Sequence, residues 1–283
     1  MTAISKQPII IYAFPGSQFV HKVLAAVESR KLDVPVYVTF VDLPNVEKRR
    51  KQLPSGGTLV PEMKVGTGDN KVIVSGSEDI LHWLDKNHGT KFFPTHEASE
   101  LSKRASDNTL AAMVWYYNFV DREGYELSLQ RKFREVLFPR WFPQCLGNAI
   151  VDAAVKPKVP EKAKAIVTAI PEVDHAMLED EPAMRRKLVE ELKYFQGLLE
   201  RTSSQKFLLP NTDEPSAADF SVYAQVARML AGGTNDSEIY AATPDLRDEP
   251  SLRTLWDWYD NMKEDYFVKF KGRQPPNELL SKL

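Results

Sequence analysis

Two short stretches in the first third of the chain have residue types that could bind a ligand carrying one positive and one negative group. The first is the pair Val60-Pro61, and the second is Ser77-Glu78-Asp79. Proline has no N–H and cannot sit inside a central strand, so Pro61 is predicted at a strand entrance, where an X-Pro bond can be cis. Val60 would then present its backbone to whatever docks there.

Ser77 is predicted to begin a helix, and the start of a helix could bind a carboxylate. It offers free backbone N–H groups and a partial positive charge. Glu78 and Asp79 could attract an ammonium group, so each end of a zwitterion would find a partner. The alternative is that Ser77 is only an N-cap followed by first-turn acids.

Both stretches lie in a segment where strand and helix signals alternate. The apolar run at residues 9–12 predicts a strand, helical spacing predicts the helix after it, and residues 36–41 predict the next strand. A short polar helix, two strands joined by a hairpin at residues 66–70 and the helix at Ser77 complete the order βαβαββα. This is the order of a thioredoxin-like domain.

The pair Val60-Pro61, followed at this distance by Ser77 and Glu78, resembles the glutathione site of glutathione transferases and glutaredoxins. In those families the residue before the proline pairs by its backbone with the cysteinyl unit of glutathione, and the serine holds the γ-glutamyl end. The resemblance implies that these four residues bind glutathione as a co-substrate. Transferases usually place an acid directly before the serine, where this chain has Gly76.

The turn after the first strand reads YAFPGSQF, and such domains carry their chemistry there. Cysteine-using relatives have Cys-Pro in this turn, and with Pro15 in register the cysteine position is Phe14. Cys145 is far away in sequence, so a redox mechanism through a protein cysteine is disfavoured. The resemblance to Ser- and Tyr-type transferases implies instead that a hydroxyl stabilises the glutathione thiolate, either from Ser17 or from Tyr12.

Ser17 is the catalytic candidate, because it stands at the predicted helix start. A free thiol has a pKa near 8.5, and lowering it by one unit takes about 1.4 kcal/mol of thiolate stabilisation. One charge-assisted hydrogen bond and a helix N-terminus can supply about 2 to 3 kcal/mol. Two alternatives stay open. The hydroxyl of Ser17 can serve only as an N-cap, and the alternation of side chains along the strand can direct Tyr12 into the core.

By its place in the turn, Phe14 is included among the glutathione-binding residues.

The strand signals end before residue 97. The sequence predicts a thioredoxin-like domain at residues 1–90 and an all-helical domain at residues 97–283, which together give the α/β plus all-α fold of glutathione transferases. Ser216 and Asp219 have the spacing of a capping box, and transferases carry this Ser-x-x-Asp start on a buried helix. The proline-rich region 139–180 is predicted to be irregular, with added helices or a long loop.

Aromatic residues crowd the first long stretch of the helical domain. In transferases this helix lines the pocket for a hydrophobic co-substrate, so the resemblance makes Trp115, Tyr116 and Phe119 the pocket candidates. Aromatic residues at helical spacing can also be core.

Composition excludes several classes of function. Of the 283 residues, 43% are hydrophobic and 27% charged, which is an ordinary globular balance, and a net charge of -2 gives no case for nucleic-acid or membrane binding. A single cysteine rules out an internal disulfide, and the five histidines have no metal-ligand spacing. We expect no metal. The start of the sequence has no secretory signal, so we expect a cytoplasmic protein.

The resemblance implies a homodimeric detoxification enzyme that uses the glutathione thiolate against a hydrophobic electrophile or conjugate. The alternative is a non-catalytic binding or regulatory protein with the same fold, which would hold glutathione or a hydrophobic ligand without turnover. Phe14 and Gly76 favour this alternative, and fold does not decide between them.

Overall fold

The structure of the protein is a computed structural model. It describes residues 6–14, 16–42, 46–66, 70–202, 206–230, 240–267 and 275–276. Pro15 and the middle of the predicted hairpin, residues 67–69, therefore lie outside the described residues.

Strands and helices alternate in the N-terminal part of the chain, as predicted. The described residues form one sheet of four strands in the order β2-β1-β3-β4, namely β1 (Ile9–Ala13), β2 (Val36–Phe40), β3 (Glu62–Val65) and β4 (Val72–Ser75). β1 is parallel to β2 and antiparallel to β3, and β3 is antiparallel to β4. The helices of this part are α1 (Gln18–Arg30), α2 (Val46–Gln52) and α3 (Ser77–His88). The predicted thioredoxin-like order βαβαββα is confirmed.

The β-branched run of β1 suits a central strand, because its side chains alternate between two buried faces. Ile9 and Ile11 face the main core, while Ile10 and Tyr12 form a smaller cluster with Val41 and Leu53 on the other face.

From His96 onward the described residues contain helices and no strand, which confirms the predicted helical region. Its α-helices are α4 (His96–Asp107), α5 (Thr109–Trp115), α6 (Arg122–Tyr125), α7 (Arg131–Leu137), α8 (Gln144–Val155), α9 (Val159–Ala169), α10 (Glu181–Arg201), α11 (Ala217–Leu230) and α12 (Arg253–Met262). Single π turns cover Tyr116–Val120, Glu126–Gln130 and Lys263–Phe267, and 3-10 turns cover Lys156–Lys158, Met177–Glu179, Pro244–Asp248 and Pro250–Leu252.

The region 139–180 contains more regular structure than its prolines suggested. Pro143 is the residue before α8, and Pro160 lies in the first turn of α9. Proline is well tolerated at a helix start, because the N–H that it lacks has no partner there. These prolines therefore begin helices instead of interrupting them.

The capping box at the start of α11 is present. The Asp219 carboxylate accepts hydrogen bonds from the backbone N–H and hydroxyl of Ser216, both at 2.8 Å, and from the Leu208 N–H at 2.8 Å. Every residue of α11 is buried, so Asp219 satisfies donors that water cannot reach. The role predicted for Asp219, structural and not catalytic, fits these contacts.

The strand-containing and helical parts share one hydrophobic core, which runs from β1 to α12. The linker between them is held by Asp85, whose carboxylate accepts from the N–H groups of Phe92 and Phe93 at 2.7 and 2.8 Å. The Phe92 carbonyl in turn accepts from the N–H of Ala217 at 2.8 Å. We retain the division into domains 1–90 and 97–283 as a proposal, with a continuous core between them.

A buried ion pair links α1 to α3 and α4. The ammonium of Lys22, 1% exposed, pairs with the carboxylate of Glu78, 28% exposed. Ser102 on α4 accepts from Lys22 at 3.1 Å and donates to Glu78 at 2.7 Å. Burial lowers the pKa of Lys22, and the Glu78 charge opposes that shift. The charge of Lys22 therefore depends on Glu78.

This pair predicts two unequal losses of stability. Glu78→Gln should lower the free energy of unfolding by about 3 to 5 kcal/mol, because it removes the main counter-charge of the buried Lys22 ammonium. Lys22→Met should lower the free energy of unfolding by less than Glu78→Gln does, since the Glu78 carboxylate left behind has partial access to water. Denaturant unfolding measures both, with Glu97→Gln, an exposed first-turn acid of α4, as the control. A Glu78→Gln variant within about 0.5 kcal/mol of the parent would contradict the assignment.

Candidate functional site

The three stretches singled out from the sequence meet at one edge of the sheet. Tyr12 is paired with Glu62, and Glu62 with Ser75, so the ends of β1 and β4 and the start of β3 are neighbours. The turn after β1, the pair before β3 and the start of α3 therefore lie side by side. We call this place the site edge, and it consists of Phe14, Gly16, Ser17, Val60, Pro61, Gly76 and Ser77.

The Val60-Pro61 bond is cis, as the sequence prediction allowed, and β3 begins directly after it. The Gly76 N–H donates to the Pro61 carbonyl at 3.0 Å, which ties the start of α3 to the cis-proline. Gly76 has φ of 97°, a conformation that favours glycine over the acid that transferases usually place there. Ser77 follows as the first residue of α3 and is 7% exposed.

Glu62 holds two segments that lie next to the cis-proline. It is 1% exposed, and its carboxylate accepts from the N–H of Ser55 at 3.1 Å, from the Ser55 hydroxyl, and from the Ser75 hydroxyl at 3.1 Å. The loop leading to Val60 and the end of β4 are thereby held to the same buried group.

Ser17 is the N-cap of α1. Its hydroxyl oxygen accepts from the Val20 N–H at 3.4 Å, and its own N–H donates to the Phe14 carbonyl at 3.3 Å. A hydroxyl that accepts one bond keeps its hydrogen for donation. The cap role and the proposed contact to a thiolate are therefore compatible. Phe14 is half-buried beside this turn.

Tyr12 belongs to the smaller core cluster and is 6% exposed. Burial raises the pKa of its hydroxyl, and the charge of Glu62 raises it further. Strand parity thus directs this side chain into the core, as the open alternative held, so Ser17 is the better placed of the two hydroxyls.

Glu78 pairs with Lys22 on α1 and contacts the helical domain through Ser102 on α4. One of its oxygens is thereby committed to the fold, which the sequence could not show. Asp79 is exposed in the same first turn, and one of its oxygens lies 3.8 Å from the position that a Cβ on Gly76 would occupy. Asp79 therefore faces the site edge more directly.

The aromatic pocket candidates lie in packed surroundings. Tyr116 is 1% exposed and belongs to the main core, which leaves its ring no open surface. Trp115 and Phe119 are half-buried, and the ammonium of Lys162 on α9 lies 4.8 Å and 5.9 Å from their ring centroids. Their role in a co-substrate pocket stays a prediction, and Tyr116 is assigned to the core.

The helical domain contributes a cation to the site edge that the sequence did not indicate. The Lys132 ammonium on α7 lies 3.1 Å from the position that a Cβ on Gly16 would occupy. Burial lowers the pKa of Lys132 to about 8, and the positive charge of Arg228 contributes. Arg228 on α11 is 7% exposed, and burial lowers its pKa to about 10.

His21 adds a buried, neutral ring to this group. It lies on α1, 5.9 Å from the ring of Tyr223. Burial, with a smaller contribution from the charge of Lys132, lowers the pKa of His21 to about 3. The imidazole therefore stays uncharged at neutral pH.

One sequence signal could have indicated part of this group. Arg228 stands in the apolar run VARML, and His21-Lys22 stand between Val20 and Val23. Charged or titratable residues inside such runs are rarely buried without a specific role. The sequence around Lys132 has no such signal, because its many polar residues predict a solvent-exposed helix.

The comparison with known families agrees with this geometry. Residues 11–92 match the family described as glutathione S-transferase, N-terminal domain. This part of the chain is similar to the N-terminal domain of glutathione S-transferases. The match extends from β1 into the linker and so contains Ser17, the cis-proline and the start of α3.

Solved glutathione transferases share the fold over almost the whole chain. Gtt2 from Saccharomyces cerevisiae is 18% identical, with a TM-score of 0.54, and the match covers 92% of this chain and 98% of that one. GSTFuA3 from Phanerochaete chrysosporium is 17% identical, with a TM-score of 0.54, covering 93% and 99%. No curated protein sequence matches the chain. At these identities the structures establish the glutathione transferase fold, as predicted.

The described residues contain no group of three or more His, Cys, Asp or Glu side chains that could hold a metal ion. Within the same residues, no helix has the length and apolarity needed to span a membrane. A cavity of about 410 Å³ lies at the far ends of α1 and α3, between Arg30 and His88, away from the site edge.

The buried histidine predicts a loss of stability in acid. His21 has a pKa of about 3 when folded and an ordinary value of 6.5, so below pH 6.5 the unfolded chain takes up the proton first. When the pH falls from about 7 to about 5, the free energy of unfolding of the parent should decrease by about 2 kcal/mol more than that of His21→Gln. Denaturant unfolding at both pH values measures this, and exposed His175→Gln is the control. Equal losses in the parent and His21→Gln would refute the burial of a neutral ring.

Proposed function

We propose that the chain binds glutathione at the site edge and uses its thiolate. One observation carries the proposal: the backbone at Val60, the N-terminus of α3 and the N-terminus of α1 meet at the same edge of the sheet. Glutathione carries a peptide backbone, a charged γ-glutamyl end and a thiol, and each of these groups has a partner there.

The proposed pose follows from the chemistry of the three partners. The cysteinyl amide pairs with the backbone of Val60. The γ-glutamyl carboxylate lies at the free N–H groups of α3 and at Ser77, where the helix dipole favours an anion. The ammonium binds Asp79 in place of Glu78, because Glu78 is already engaged by Lys22.

Ser17 is the proposed catalytic residue. Its O–H donates to the sulfur and stabilises the thiolate, which then attacks a hydrophobic electrophile or a conjugate held nearby. Proximity and thiolate activation are the terms that lower the barrier. Phe14 occupies the cysteine position of the turn, so the nucleophile is the sulfur of glutathione and not a protein thiol.

A second candidate function is a binding or regulatory protein without turnover. Phe14 in the cysteine position and Gly76 in the usual acid position favour it. The two functions share the glutathione site, so turnover separates them and binding does not.

The remaining parts of the proposal rest on the resemblance. These are the hydrophobic co-substrate, a role in detoxification, a homodimer and a cytoplasmic location. Trp115 and Phe119 stay the proposed contacts for the co-substrate, because each ring keeps partial exposure.

The first test is calorimetric titration with glutathione. Asp79→Asn should weaken binding by about 1 to 3 kcal/mol, because it removes the charge proposed to hold the ammonium. Glu97→Gln, in the first turn of α4, is the matched control and should bind as the parent does. If the parent gives no heat of binding with glutathione, the proposed function is wrong. If Asp79→Asn binds glutathione with the affinity of the parent, only the proposed contact between Asp79 and the ammonium is wrong.

The second test concerns the hydroxyl. Ser17→Ala should lower turnover with glutathione about tenfold to a hundredfold, because losing one oriented donor raises the thiol pKa by about one to two units. Thr95→Ala removes the equivalent N-cap of α4, whose hydroxyl accepts from the Ala98 N–H at 3.2 Å, and should leave turnover unchanged. Cys145→Ala should also leave it unchanged.

Tyr12→Phe completes this comparison. If Ser17→Ala stays fully active while Tyr12→Phe is inactive, the hydroxyl belongs to Tyr12. A parent that binds glutathione but turns over no electrophile or conjugate favours the second candidate function.

A further inference from the structure

Lys132 reaches from the helical domain to the turn that carries Ser17. Its ammonium lies 3.1 Å, and its Cε 3.7 Å, from the position of a Cβ on Gly16. Gly16 is buried and has φ of 97°, and it directly precedes the N-cap of α1. The absence of a side chain at residue 16 thus lets the ammonium approach the backbone at the helix start.

Several described groups near Lys132 set the electrostatic potential at this place. Arg228 on α11 contributes a positive charge, and His21 on α1 stays uncharged. The Tyr240 ring lies 5.8 Å from the ammonium, and its hydroxyl donates to Glu135 on α7 at 2.7 Å. The first turn of α1 carries no acid. A thiolate at this place would meet a positive field from the helix end and from Lys132 together.

We propose that Lys132 is a second catalytic residue, whose ammonium pairs with the sulfur of bound glutathione while Ser17 donates from the other side. This inference rests on the proposed glutathione site and deepens it. The S–H bond breaks with its electron pair left on sulfur. The proton goes to solvent when Lys132 is already an ammonium, and to the Lys132 amine when that amine is neutral.

A lysine suits this task because of its partly buried position. Burial lowers the pKa of Lys132 to about 8, so the side chain is mostly charged at neutral pH and can exchange a proton near the pKa of a thiol. A charged pair at a water-poor site is also stronger than the same pair in water.

The test compares ligands with and without an ionisable sulfur. Calorimetry measures the binding of glutathione and of S-methylglutathione to the parent, Lys132→Met and Lys132→Arg. The thiolate absorbance of bound glutathione, followed against pH, gives the pKa of the bound thiol. Lys158→Met, which removes an exposed lysine of the same domain, is the matched control.

We expect Lys132→Met to raise the pKa of the bound thiol by about one unit, which is a tenfold loss of thiolate below that pKa. Its affinity for S-methylglutathione should stay that of the parent, because this ligand has no sulfur charge to pair. Lys132→Arg should keep most of the thiolate, and Lys158→Met should behave as the parent.

Three outcomes overturn the inference. If Lys132→Met binds and ionises glutathione as the parent does, Lys132 has no role at sulfur, and the proposed function stands. If a folded Lys132→Met loses the same affinity for glutathione and for S-methylglutathione, the residue has a packing role. Lys132→Gln replaces this variant if Lys132→Met does not fold. If neither variant folds, Lys132 is likewise assigned to packing. If the parent binds no glutathione, the inference fails together with the proposed function.

Discussion

The buried pair of Lys22 and Glu78 sets the geometry on which the site depends. Lys22 lies in the second turn of α1, and Glu78 directly follows Ser77 on α3. The pair therefore joins the beginnings of the two helices whose N-termini face the site edge. Ser102 binds both partners, so the helical domain is fixed against the same place. Two charges at short range in a buried environment allow little relative movement without a large cost.

Charge is distributed so that the site edge favours an anion. Two helix N-termini point there, Lys132 and Arg228 add positive charge, and His21 is kept neutral by burial. Two acids near the edge have other tasks: Glu62 holds the cis-proline loop, and Glu78 neutralises Lys22. The proposed glutathione thiolate is an anion that such an arrangement suits, with Asp79 proposed to attract the ammonium.

The π turns of the helical domain contribute to this arrangement. The π turn Glu126–Gln130 directly precedes α7, and a π turn inserts a residue into the helical repeat, so the face presented by α7 is shifted. Gly124 permits the close packing before it, because a Cβ there would lie 2.4 Å from the Tyr117 carbonyl. The direction of Lys132 therefore depends on backbone geometry that the 3.6-residue period does not describe.

The sequence by itself determined the order of strands and helices, the cis-proline entrance, the Ser216–Asp219 cap and the helical second half. Each of these is local, since it follows from propensity, periodicity or a fixed spacing within a few residues. Only the tertiary structure decided which acid pairs with Lys22, which hydroxyl is exposed and which cation reaches the turn at Gly16. Glu78 and Asp79 have similar chemistry in the sequence, and they differ only because Lys22, 56 residues earlier, reaches Glu78 in the folded chain. Long-range contacts of this kind depend on how the helices pack, and packing is a property of the whole core and not of any one stretch.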